Sequence, residues 1–414
     1  MARNRVIYQS EALFINQDAA YSGGYNQIER VQSANYSYTI NRQDINQYGQ
    51  LGKLDSIIID SPTVSADISY YLTDGFTERA LGFFVSNMGV TGLGTADPNY
   101  TGVTSGSFLS GHLAEGAGRN LFITTSPEGT DADLPVRSLT GQTVASKAVA
   151  PPRTTTIGVG NCYLSDYSLD LSVGAIPTVS VSFDALNINS QEVITGFASG
   201  WALNSPAINP ADGTTGGFGY QVLPDAVTGY VGDGGTQIAA LRPGDINVNI
   251  GSFSGSGVAN IGGTAGDYDA NSAHIQSASL SIPLSRSPLD RLGSNSAYAR
   301  SVDFPVVSTL SVTAILNEVE SYNLSAALGD ENEKEITLTL NNSADPPVPA
   351  MIYTLKGCSF DSESFTSSIG ANKSVDMTFT TSVGGPTDTG HGIFVSGIST
   401  GALYTGVHPE LEPE

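Results

Sequence analysis

The 414-residue chain carries 17 Lys and Arg against 40 Asp and Glu, a formal net charge of −23, which excludes tight binding of nucleic acid or of an anionic membrane surface. Gly alone supplies 47 residues, Ser, Thr, Asn and Asp are abundant, and little of the chain follows a 3.6-residue apolar period, a composition that predicts an all-β protein with many turns. The start MARNRVIYQS lacks an apolar core segment and no apolar run reaches the length of a membrane span, so the expectation is a soluble protein made in a cytoplasm.

Residues 1–30 read as an N-terminal arm, with the apolar run Ala12–Ile15 as an arm or first strand before a loop at Tyr21–Gly24. From Val31 the pattern changes: Ala34, Tyr36, Tyr38 and Ile40 alternate with polar neighbours, and so do Val64, Ala66, Ile68, Tyr70 and Leu72. Period-two alternation places one strand face in a core and the other toward solvent. The connection between them, Asn41–Asp55, is polar yet holds Ile45, Tyr48, Leu51 and Leu54, too apolar for a free loop and too irregular for an ordinary strand. Such a segment needs a surface to cover it, on its own domain or on a neighbour. Thr73-Asp74-Gly75 predicts a turn and Phe76–Val85 a helix of two to three turns. Gly89–Gly118 and Pro127–Pro152 read as surface loops, and Cys162–Phe183 as a hairpin turning near Gly174.

Residues 189–243, rich in Gly, Asn, Pro and Asp and holding the only tryptophan, Trp201, read as a linker or insertion. Asp245–Ile250 then alternates as a strand, and Gly251–Ala270 reads as a flexible loop. Ala278, Leu280, Ile282 and Leu284 form another alternating run, followed by the connection Ser285–Ala299 with Leu289, Leu292 and Tyr298, and by the strand pattern Leu310, Val312, Ala314 and Leu316. Asn317–Leu328 predicts a second short helix, and the chain beyond Val383 reads as a partly mobile tail.

Two stretches recur. Val31–Leu72 aligns without a gap on Ile275–Leu316, sharing Gln32 with Gln276, Ser33 with Ser277, Ala34 with Ala278, Ser37 with Ser281, Arg42 with Arg286, Gly49 with Gly293 and Leu72 with Leu316. Cys162–Phe183 aligns on Cys358–Phe379 through the cysteines, Ser168 with Ser364, Gly174 with Gly370, Val179 with Val375 and Phe183 with Phe379. The recurrence of both blocks in one order predicts a duplicated domain. The spacing from Gln32 to Cys162 is 130 residues and from Gln276 to Cys358 is 82, so the first copy carries 48 extra residues. The two cysteines occupy equivalent places, and both are expected as buried apolar residues rather than a disulfide.

Motifs for chemistry are sparse. None of His112, His274, His391 and His408 stands at metal-ligand spacing from another His or Cys. Asp267, Asp269 and Asn271 resemble the opening of a calcium loop, but Ser272 replaces the required glycine and the closing glutamate is missing. GSFSGSG at 251–257 lacks the lysine of a phosphate loop. The expectation is therefore a protein without catalytic residues, cofactor or metal.

The stretch QSANYSYTINRQDINQYGQLGKLD followed by SPTVSADISYYL resembles the tail tube (major tail) proteins of long-tailed bacteriophages. The resemblance covers residues 31–86 and 275–328, and rests on strand order, the long connection and the helix after the second strand. It implies an all-β fold with minor α: two tandem β-sandwich or barrel-like tube domains, each with a flanking short helix and a long inter-strand loop or hairpin. The divisions follow as an arm at 1–30, a first tube-like domain at 31–188, a linker or insertion at 189–243, a second tube-like domain at 244–387 and a tail at 388–414. It further implies a virion tail component assembled in a host cytoplasm, rings stacked around a channel that DNA traverses without specific binding, contacts with other phage tail proteins and none with a membrane. With two domains per chain, a six-fold ring becomes a homotrimer with pseudo-six-fold symmetry. Ile45, Tyr48, Leu51, Leu54, Leu289, Leu292 and Tyr298 are the expected inter-subunit contacts. The alternative is a virion decoration or fibre-type β-sandwich binding carbohydrate or receptor, for which Trp201, Tyr220 and Tyr230 form a loose aromatic group.

Overall fold

The computed structural model describes residues 11–16, 26–59, 63–87, 106–113, 118–125, 138–139, 153–185, 187–194, 236–237, 241, 246–250, 274–289, 292, 299–315, 333–342, 348–366, 374–385 and 388–398. The fold is all-β with minor α. Its first half runs β1 (Glu11–Asn16), β2 (Asn26–Ile28), β3 (Val31–Thr39), β4 (Arg42–Ile45), β5 (Asp55–Ile58), β6 (Thr63–Tyr71), α1 (Phe76–Leu81), β7 (Val85–Asn87), α2 (Ser110–Leu113), β8 (Arg119–Thr125), β9 (Ser138–Leu139), β10 (Arg153–Ser172), β11 (Thr178–Ala185) and β12 (Asn187–Ile194). The second runs β13 (Thr236–Gln237), β14 (Ile246–Ile250), β15 (His274–Pro283), β16 (Arg286–Leu289), β17 (Ala299–Val302), β18 (Val306–Ile315), β19 (Lys334–Asn342), β20 (Val348–Thr366), β21 (Ser374–Val383) and β22 (Gly392–Gly397). No helix among the described residues is long and apolar enough to cross a membrane, a statement that does not bear on β-barrels.

Eight antiparallel strands, in the order β3-β6-β11-β10-β15-β18-β21-β20, form one continuous sheet through both halves. The alternation that defines these strands also sets the layers. Val64, Ala66, Ile68 and Tyr70 of β6 lie inward and are buried, while Thr63, Ser65, Asp67 and Ser69 face outward. β10 and β20, 20 and 19 residues long, each serve twice. Their C-terminal parts belong to the eight-stranded sheet; their N-terminal parts pair with β8 and β12, and with β19 and β22, to build the covering layer, extended by β1 beside β8 and β14 beside β19. The core is one cluster spanning the two halves.

The pairings of the two halves match residue for residue. Ala34 opposes Ile68 and Tyr36 opposes Ala66 on β3 and β6; at an offset of 244 residues, Ala278 opposes Val312 and Leu280 opposes Leu310 on β15 and β18. Tyr167 opposes Val181 and Leu169 opposes Val179; at an offset of 196, Glu363 opposes Met377 and Phe365 opposes Val375. Even the irregularities agree, since the shift between Leu164 and Asp166 recurs between Phe360 and Ser362, and that between Val31 and Ser33 recurs between Ile275 and Ser277. A bulge bends its strand locally, so equal bulges give the two halves equal curvature.

α1 begins after Gly75 and stops at Gly82, whose φ of 100° is left-handed. The expected helix is thus six residues rather than two to three full turns, because Gly82 terminates it and a Cβ there would also collide with the Arg119 guanidinium. The second expected helix, Asn317–Leu328, lies outside the described residues.

Three expectations change. The supposed tail contains β22, in which Gly392–Gly397 are all buried and pair with β20 and β7. Ile393, Phe394 and Val395 are consecutive apolar residues because both faces of this strand are covered, so no alternation marks it. Within the supposed surface loops, Phe108 is buried and stacks on Phe83 with ring centroids 4.4 Å apart, while its N–H donates to the Ile393 carbonyl. The supposed linker begins inside β12, whose Asn187–Ile194 pair along β10. Of the two readings of Ala12–Ile15, arm or first strand, the structure shows a buried first strand. Both cysteines are buried free thiols.

Candidate assembly interface

Edge-to-edge pairing joins the halves. β10 and β15 meet in the register Asp166 opposite Pro283, Ser168 opposite Ser281, Asp170 opposite Ser279 and Ser172 opposite Ser277, continued by the bond from the Leu284 N–H to the Ser165 carbonyl. On the inward face this seam buries Leu280, Ile282 and Leu284 to 1% exposure or less. Their counterparts, Tyr36 and Tyr38 on β3 and Ile40 just beyond its end, stand 41%, 58% and 37% exposed. Among the described residues, β3 pairs with β6 alone, and residues 362–366 of β20 pair with β21 alone. Among the described residues the sheet therefore ends in two unpaired edges, each equivalent to a strand that is paired at the internal seam. Open edges with apolar side chains are templates for further strands.

The two connections of mixed character are hairpins that extend beyond this sheet. β4 pairs with β5, Arg42 opposite Ile58, and β16 pairs with β17, Arg286 opposite Val302, again at an offset of 244. In the first hairpin Ile45 is 37% exposed, Leu54 56%, and Tyr48 and Leu51 are bare at the tip. Ile57, Ile58 and Ile59 are consecutive and all about half-exposed, so both faces of the hairpin are apolar. Gly49 makes the turn with a φ of 91°, and Lys53 closes the base of the tip on Asp44 at 3.2 Å. In the second hairpin Leu289 is 38% exposed and Leu292 fully so; Tyr298 lies outside the described residues. Its base, unlike that of the first, is held by the other half of the chain: the Arg286 guanidinium donates to the His112 carbonyl and sits 5.1 Å from the centre of the Tyr163 ring.

The outward face of the eight-stranded sheet is mostly polar, with Val307 and Ile315 of β18 and Tyr71 of β6 as apolar or aromatic exceptions. Ser and Thr dominate, Asp67, Asp166, Asp170, Asp184 and Asp376 supply charge, and among the described residues no Lys or Arg occupies an outward position of the paired strands. Many of these groups satisfy one another across strands: Ser33 with Ser69, Ser37 with Ser65, Ser182 donating to Asp67 at 2.7 Å, Ser279 to Asp170 at 2.9 Å and Thr313 to Asp376 at 2.7 Å. Hydroxyls engaged with neighbouring carboxylates make a smooth acidic surface with little capacity to grip an anion.

Beneath the seam lies a buried polar cluster that the sequence patterns do not reveal. The Tyr70 hydroxyl donates to Glu78 of α1 at 2.9 Å, and the Tyr167 and Tyr353 hydroxyls, one from each half, are 2.9 Å apart. Burial, with a smaller contribution from Asp74, raises the Glu78 carboxyl to about 7, although its own backbone N–H and the Tyr70 hydroxyl act in the opposite sense. Phe83 and Phe108 pack edge-on against Tyr167 at 5.0 and 5.2 Å, tying α1 and the inserted segment to the joint. Among the described residues no group of three His, Cys, Asp or Glu side chains is arranged to hold a metal. Trp201, Tyr220 and Tyr230, and the acidic turn Asp267–Asn271, lie outside the described residues.

No protein-family model matches the chain. No curated protein matches it. Among solved structures, a chain of the anti-feeding prophage baseplate, determined by cryo-EM with six-fold symmetry, is similar to 37% of this chain over 93% of its own length, at 12% identity and a TM-score of 0.23. At that level the likeness carries no argument, and function rests on the edges, hairpins and faces of the chain itself.

Proposed function

We propose that the chain is a structural subunit of a phage tail tube, three copies closing into a ring and rings stacking into a tube that DNA traverses. The observation that supports this most is the contrast between Leu280, Ile282 and Leu284, buried at the internal seam, and their exposed counterparts Tyr36, Tyr38 and Ile40. A surface that is covered in one copy of a repeat and bare in the other calls for the same cover from the next chain. Such head-to-tail contacts are heterologous and close only if the rotation divides a full turn. Eight strands per chain give a barrel of twenty-four in a ring of three, with pseudo-six-fold symmetry. The Ser, Thr and Asp face then lines the lumen, where an acidic wall repels a polyanion and lets it slide. The hairpins lie outside the barrel sheet, with Tyr48, Leu51 and Leu292 reaching neighbouring subunits. The role needs no catalytic residue, cofactor or membrane contact; its partners are further copies and other tail proteins, and its place is the virion. Solution mass across a concentration series with negative-stain electron microscopy tests this: hollow rings of three chains support it, and a monomer at every concentration refutes it.

A further inference from the structure

The internal seam specifies how two chains meet. Since the pairings of the two halves superpose at fixed offsets, the register of β10 on β15 transfers to β20 on β3 without adjustable parameters: Asp166, Ser168 and Asp170 become Ser362, Ser364 and Thr366, and Pro283, Ser281 and Ser279 become Thr39, Ser37 and Asn35. We infer that β3 of one chain adds antiparallel to the outer edge of β20 of the next, with Ser362 opposite Thr39, Ser364 opposite Ser37 and Thr366 opposite Asn35. The inference rests on the ring reading above and names its contact. The occupant is a second copy because the bare edge already presents the side chains that the internal seam buries at the same positions.

Charge supports the same docking. Arg42 takes the place of Arg286, which at the internal seam lies over the Tyr163 ring and reaches the His112 carbonyl. The residue equivalent to Tyr163 is Ser359, which carries no aromatic ring. Carboxylates stand near Ser359 instead: Asp361 two residues along the same strand, and Glu333, which is exposed, lies 3.5 Å from His391 and adjoins Lys334, the residue paired with Cys358. An exposed arginine on one edge thus faces acidic groups beside the other. The internal seam uses an aromatic clamp, and the seam between chains uses an ionic one that salt weakens.

The full-length double variant Ser37→Cys with Ser364→Cys tests the register. Both serines are exposed, and the native thiols of Cys162 and Cys358 are buried. Directly opposed cysteines lie within disulfide reach, whereas the control pair Ser33→Cys with Ser364→Cys is displaced by four residues, about 13 Å along the strand. Mild oxidation of assembled rings is expected to give covalent species of up to three chains on non-reducing gels from the first pair, at least tenfold more than from the control. Rings visible by microscopy in which the first pair stays uncoupled, or the control couples equally, overturn the register and leave the ring reading standing. Absence of rings from parent and variant alike overturns both. Arg42→Glu is expected to raise the concentration needed for assembly about fivefold at low salt and little at 1 M salt; equal behaviour at both removes Arg42 from the seam.

Discussion

Tyr38→Ser separates assembly from folding. Tyr38 is 58% exposed in the single chain, so its removal leaves the core intact and changes the stability of the subunit by about 0.5 kcal/mol or less. A tyrosine side chain buries roughly 200 Å² when fully covered. Covering the exposed 58% therefore removes about 115 Å² from water at each seam. At ~25 cal/mol per Å², and with the hydroxyl still hydrated, the loss is about 2 kcal/mol per seam. A closed ring of three has three such seams, and its half-assembly concentration varies as the square root of the ring's association constant. The expected shift is on the order of a hundredfold. Sedimentation velocity over a concentration series reads it, with thermal unfolding of the dilute subunit as control. Assembly at the parental concentration with an unchanged melting temperature would refute the argument that β3 is a covered edge.

Other outcomes follow from the same structure. Burial pushes the Glu78 carboxyl up to about 7 in the folded chain from its ordinary 4.5, so its burial is without penalty below about pH 4.5 and destabilises the fold increasingly as pH rises toward 7. Glu78→Gln should match the parent at pH 4.5 and exceed it at pH 8 by up to about 3 kcal/mol in denaturant unfolding; a parallel pH profile for the two proteins contradicts this. Gly82→Ala forces an alanine to a φ of 100° and against the Arg119 guanidinium, and should lower stability by about 2 kcal/mol in the same assay. Tyr48→Ser with Leu51→Ser, at the bare hairpin tip, should leave the melting temperature within the error of the parent while reducing tube length by microscopy. Asp170→Lys, on the polar sheet face, should assemble but retain duplex DNA at low salt and release it steeply as salt rises, where the parent does not bind.

Much of this fold is legible as parity. Ala34, Tyr36 and Tyr38 share a face, as do Ala278, Leu280 and Ile282, and both the strands and their equivalence follow from a two-residue period and matched spacing. The apolar content of Asn41–Asp55 marks a segment in need of cover, and the structure shows that its own chain does not supply that cover to Tyr48 and Leu51. β22 escapes because a strand covered on both faces has no alternation, and six residues near a terminus resemble a tail. Phe108 escapes because a single aromatic in a Gly-rich loop gives no period; its importance comes from Phe83 and Tyr167, distant in the chain. The Glu78 cluster escapes because a glutamate after a helix start looks like an ordinary first-turn acid until β6 places Tyr70 against it. The seam itself joins residues more than 100 positions apart, and only the structure shows which edges meet.

The central claim is that the chain closes a ring through the edges that its own two halves display. A cryo-EM reconstruction of the assembled particle, computed without imposed symmetry, tests it most directly. Three copies per ring, with β3 of each continuous with β20 of the next in one barrel of twenty-four strands, are the predicted result. Six copies per ring, or rings in which Tyr36 and Tyr38 remain in solvent and chains meet elsewhere, would contradict it.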